Sequence, residues 1–75
     1  MNPYMIVLFT YADPLDAGLI KSDLENQGCK DVDIITFSNG VTIVTADLTD
    51  QQVKKLPEKY LSIRTIEPNR EVILN

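Results

Sequence analysis

The chain has 75 residues, with eleven acids, seven bases, one cysteine and no histidine, for a formal charge of −4. That length supports one domain, residues 1–75, burying only about 60 to 65% of its unfolded surface, so a second molecule is the expected source of extra stability. A lone thiol excludes disulfides within the chain and, without histidine, excludes a zinc site; no cofactor or metal is implied.

Residues 4–11 (YMIVLFTY) are rich in β-branched and aromatic side chains and predict a strand buried on at least one face. A helix follows over 14–27. Asp13 is placed as N-cap, Pro14 suits the first helical position, Asp16 favours the dipole, and Gly28 can turn left-handed and end the run. Residues 31–37 (DVDIITF) and 41–46 (VTIVTA) predict two further strands. The Asn39-Gly40 pair between them is a hairpin signal, because both residues tolerate positive φ. Thr49-Asp50-Gln51-Gln52 fits a capping box opening a second helix, which should turn Val53, Leu56 and Tyr60 inward. Pro57 should limit that helix to about two turns or kink it. Residues 61–67 (LSIRTIE) predict a fourth strand, and 71–74 (EVIL) a short extra one.

The order β-α-β-β-α-β predicts an α+β, ferredoxin-like domain: an antiparallel sheet with both helices on one face. Right-handed crossovers place the first and third strands in the middle, which suits an all-apolar first strand. A different α+β meander and a swapped dimer of the same elements remain open.

On a helical wheel Ala17, Ile20 and Leu24 form the sheet-facing stripe, while Leu15, Gly18, Leu19 and Ser22 lie on the opposite side. Either the two leucines sit at a margin, half covered by a loop, or they form an apolar patch that another helix can approach closely. The first strand poses a related question. One of its faces carries Tyr4, Ile6 and Leu8, the other Met5, Val7, Phe9 and Tyr11, and helices cover only one sheet face in this fold. The uncovered face is expected to pack on a second subunit, a partner or the C-terminal segment. The candidate partner-binding residues are therefore Leu15, Gly18, Leu19 and Ser22 on the helix, with Tyr4, Ile6 and Leu8 on the strand.

Catalytic chemistry finds little to work with. A nucleophile has no histidine beside it, and Ser22, Ser38 and Ser62 lie in ordinary surface or turn contexts. Cys29 follows a helix C-terminus, whose negative end disfavours a thiolate, and reads as a small, partly buried residue. Asp31 and Asp33 would share a strand face, but two acids at a strand start read as solvated charges, and no calcium loop pattern surrounds them. The strand-to-helix turn is a poor phosphate cradle, since Asp13 repels an anion and Pro14 removes a donor. No catalytic residue is assigned, and an enzyme is not expected.

Residues 1–50 carry a charge of −6 and residues 51–75 a charge of +2. An acidic half argues against nucleic acid, which needs a basic stripe, and suits a basic protein partner or simple solvation. The sequence opens without a basic segment leading into an apolar one, and its longest apolar run, residues 4–9, is far short of the roughly 20 residues of a membrane span. A cytoplasmic setting without membrane contact is expected.

The segment VLFTYADPLDAGLIKSDLENQG resembles the start of small signal-transducing domains of the DUF2007 type, which open with a strand and a helix of the form D-P-x-x-A-x-x-I-K-x-x-L-E-x-x-G. Asp13, Pro14, Ala17, Ile20, Lys21, Leu24, Glu25 and Gly28 carry the pattern, over about a third of the chain. Beyond Gly28 the tight Asn-Gly hairpin departs from it. The resemblance implies a ferredoxin-like regulatory or binding module, with no residue roles to transfer. Two functions follow as expectations. One is a small, non-enzymatic protein-binding module, such as a phage-type inhibitor or adaptor; the other is a small-molecule-sensing regulatory domain working as a homodimer.

Overall fold

A computed structural model describes residues 1–69. It contains β1 (Asn2–Leu8), α1 (Pro14–Asn26), β2 (Asp33–Thr36), β3 (Thr42–Leu48), α2 (Asp50–Lys59) and β4 (Ile63–Pro68). The four strands form one antiparallel sheet in the order β2-β3-β1-β4, so the first and third strands are central and the fold is ferredoxin-like. The expected strand over 71–74 lies outside the described residues.

Register explains which face is buried. Ile6 sits opposite Val44 on β3 and Ile66 on β4, and Tyr4 sits opposite Ala46, so these side chains share one face. Against them pack Ala17, Ile20 and Leu24 of α1 and Leu56 of α2, with Val53 and Tyr60 half-buried beside them. Both helices thus cover the same face, and the α1 stripe expected from the wheel is the one that is buried.

Each helix end is held as its sequence demands. Asp13 accepts a hydrogen bond from the Leu15 N–H at 2.9 Å. Gly28, at φ 95°, closes a Schellman turn: its N–H donates to the Glu25 carbonyl at 3.0 Å and the Cys29 N–H to the Leu24 carbonyl at 3.0 Å. At α2 the capping box is complete, with the Gln52 N–H on Thr49 Oγ1 at 3.2 Å and the Thr49 N–H on Gln52 Oε1 at 2.9 Å.

Several details differ from expectation. β1 stops at Leu8, because the Ala12 N–H donates back to the Phe9 carbonyl at 3.0 Å and closes a turn. β2 begins only at Asp33, because Asp31 takes a left-handed φ of 57° that no ladder tolerates; Asp31 and Asp33 therefore share no strand face. The hairpin loop has the expected three residues, 38–40, with the Phe37 N–H reaching the Val41 carbonyl at 2.8 Å, but only Gly40 has positive φ, at 88°, and Asn39 does not. Helix α2 continues through Pro57 to Lys59, making ten residues rather than about two turns. The proline costs it one backbone donor, but Leu56 immediately before it is buried and anchors the segment.

The helices are clamped to each other by Asp23. Its carboxylate accepts hydrogen bonds from Lys59 Nζ at 2.5 Å, Tyr60 Oη at 2.9 Å and Gln27 Nε2 at 3.2 Å. The Lys59 ammonium, then the Tyr60 hydroxyl, holds this carboxyl below the usual carboxylate range. A depressed native pKa means that the clamp contributes fully above the unfolded value of about 3.9 and is lost as pH falls through the native one. Urea unfolding of wild type and Asp23→Asn between about pH 6 and pH 2 should show a stability gap that closes at the acid end. A gap that persists unchanged at the lowest pH would count against the clamp.

Candidate functional site

The structure separates the sequence-assigned residues into two groups. Leu15 and Leu19 are 74% and 57% exposed on the outer side of α1, with Gly18 and Ser22 exposed beside them, so the apolar patch, not the covered margin, is what the helix presents. Tyr4, Ile6 and Leu8 are misassigned as partner contacts. They lie on the helix-covered face, where Ile6 and Leu8 are buried and Tyr4 packs against the core. Both faces of β1 are apolar, so alternation alone does not tell the covered face from the open one.

The uncovered face carries the other β1 set. Ile35, Ile43, Val7 and Thr65 align in a row across the sheet, followed by Asp33, Thr45, Met5 and Glu67. Val7, Ile43 and Met5 are half-buried by their neighbours, and acids close both ends of the second row. This face is therefore less apolar than a strand-by-strand reading suggests.

The apolar exposure gathers instead at one end of the molecule. The first turns of α1 and the β2–β3 hairpin enclose a groove of about 460 Å³. Leu8 and Ala17 line it from the core; Leu15, Gly18, Ile34, Thr36 and Gly40 form its rim. Leu19 and Ser22 lie farther along α1 and do not line it. Ile34, Ile35 and Phe37 are 39%, 43% and 48% exposed, and Phe9 stacks on exposed Tyr11 nearby, with ring centroids 4.9 Å apart. Sequence reading missed the β2 residues as contact candidates. The available signal was an edge strand holding two adjacent isoleucines and no lysine or proline.

Gly18 leaves the rim low. A methyl group built on it would meet nothing within 4 Å, and its backbone is ordinary helix. Gly18→Ala should therefore stabilise the chain by about 0.5–1 kcal/mol through helix propensity alone, raising the melting temperature by several degrees. A fall in melting temperature would show that the glycine has a structural duty.

A second groove, about 480 Å³ and lined by Asp23, Gln27, Gln52, Lys55, Leu56 and Lys59 among others, runs between the helices over the Asp23 clamp. Its polar groups are largely paired with one another: Gln52 Nε2 donates to Gln27 Oε1 at 2.8 Å and lies 3.7 Å from the sulfur of buried Cys29. Cys29 Sγ in turn lies 3.5 Å from the Asp47 carbonyl, consistent with a packed thiol. No group of three or more metal-ligating side chains gathers among the described residues, and none of the described helices is long and apolar enough to cross a membrane.

No known protein family, curated protein or solved structure matches the chain.

Proposed function

We propose that this chain is a small, non-enzymatic protein-binding module, acting through the apolar rim formed by α1 and the β2–β3 hairpin. The observation that carries the reading is exposed Leu15 and Ile34 lining one groove, with Leu19 exposed farther along α1 and Ile35 and Phe37 exposed on and just after the edge strand β2. Asp13 lines the groove, and the first fifty residues carry a charge of −6, which favours a partner with basic residues around an apolar centre. An inhibitor or adaptor of phage type fits that size and charge, and the DUF2007-like opening supports a regulatory or binding role. The test is capture of partner from host extract by wild type, Leu15→Asp and Leu19→Asp. The expected result is loss of at least a tenfold share of binding with melting unchanged; capture unaffected by both variants overturns the assignment.

The groove beside Gly18 favours a second reading, a small-molecule sensor working as a homodimer. Melting across a panel of nucleotides and amino acids discriminates the two. A ligand at 100 times its Kd adds about 2.7 kcal/mol of stability, and Gly18→Leu, which fills the groove, should abolish the shift. The absence of any shift supports the binding module.

A further inference from the structure

The two edges of the sheet are built differently. β4 carries Arg64 and Glu67 and closes on Pro68, devices that discourage another strand from pairing. β2, Asp-Ile-Ile-Thr, is exposed at all four residues and has no lysine, proline or bulge. The Phe37 N–H donates to the Val41 carbonyl, and the register from Asp33↔Thr45 to Thr36↔Thr42 is unbroken. Alternation then directs the N–H and C=O groups of Asp33 and Ile35 toward β3, and those of Ile34 and Thr36 outward. Among the described residues no strand pairs with that outer edge.

We propose that a second copy of this chain occupies it, pairing β2 antiparallel to β2 about a twofold axis through Ile35 and joining two four-stranded sheets into one. The proposal deepens the binding-module reading, since it uses the same rim. An axis perpendicular to the sheet keeps each face with its like, so the centre falls on a residue, and within Asp33–Thr36 only Ile34 and Ile35 leave more than one strand residue overlapping. Centring on Ile35 sets Ile34 opposite Thr36 of the second copy, and both have outward donors and acceptors, giving four backbone hydrogen bonds from two reciprocal pairs. It also sets Asp33 opposite Phe37, leaving the two Asp33 carboxylates four residues apart along the strand, about 13 Å. Centring on Ile34 brings those acids to about 7 Å and requires pairing by Val32, which is buried. Charge and backbone pattern therefore agree on one register. On the helix side, the same groove carries Leu15 and Gly18 beside Ile34 and Thr36 of the pairing strand.

The experiment is sedimentation velocity from about 1 µM to about 1 mM, the range of weak specific association, with wild type and Thr36→Pro. Thr36→Pro removes an outward N–H and leaves β3 its hydrogen bonds, so it should weaken dimerisation at least tenfold with little change in monomer melting. Register is read separately in a Cys29→Ala background, where Ile35→Cys should cross-link under oxidised glutathione and Asp33→Cys should not; this arm stands even if the proline variant folds poorly. Wild type monomeric at the highest concentration, a dimer indifferent to Thr36→Pro, or cross-linking at 33 in place of 35 each overturns the pairing. A monomer that loses a host partner on Leu15→Asp overturns the pairing but leaves the binding module standing. A monomer that loses a host partner on Thr36→Pro assigns the edge to a foreign strand and overturns the second copy. A Thr36→Pro-sensitive dimer supports the pairing even where no host partner is found.

Discussion

Replacing Ile6 with aspartate is expected to unfold the chain at neutral pH, while Leu15→Asp leaves it folded. Ile6 is fully buried between the central strand and both helices, opposite Val44 and Ile66, with no polar group placed to receive a carboxylate. Burying an unpaired charge there costs more than about 4–5 kcal/mol, against a total stability of about 4 to 11 kcal/mol for a domain of this length. Leu15 is 74% exposed in the first turn of α1, where a carboxylate favours the helix dipole. Far-UV circular dichroism at 25 °C distinguishes the two. A cooperative melt from Ile6→Asp would contradict the core assignment of that strand face.

The second large effect contrasts two leucines five positions apart on one helix. Leu24 is fully buried against the sheet, and its carbonyl also receives the Cys29 N–H that closes the helix. Leu24→Ala removes three carbons from a packed site and should cost about 2–5 kcal/mol. Leu19→Ala removes the same atoms from a side chain 57% exposed and should cost less than about 0.5 kcal/mol, helped by the better helix propensity of alanine. Urea denaturation measures both. Equal losses would mean that the outer side of α1 is covered in solution, and that finding would itself point to an associated partner.

What was legible in the sequence, and what was not, follows from the range of each interaction. Asp13-Pro14, Thr49…Gln52 and Gly28 act within one helical turn, so their caps could be read directly and the structure places them as expected. Strand order followed from the sequence of elements and crossover handedness, which are few in number. The face of β1 was not legible, because Met5 and Val7 are as apolar as Ile6 and Leu8; only pairing with Val44 and Ile66 decides which side the helices cover. The left-handed Asp31 was equally hidden, since aspartate in a strand-like run gives no local sign of a positive φ. The candidate site divided along the same line. Leu15, Gly18, Leu19 and Ser22 follow from helix geometry and are exposed, whereas Ile34, Ile35 and Phe37 lie on or beside a strand whose edge place was legible but whose side-chain exposure was not.

The place of β1 has a consequence for how the chain reaches this structure. Ile6 must pair with Val44 on one side and with Ile66 on the other, the latter sixty residues farther along. The β2–β3 hairpin and both helices involve only local contacts, and β1 can join β3 before β4 exists, but the sheet stays one strand short until β4 arrives. Until then the most hydrophobic of the described strands has one open edge, and folding waits on β4, with the slower kinetics that such long-range pairing brings.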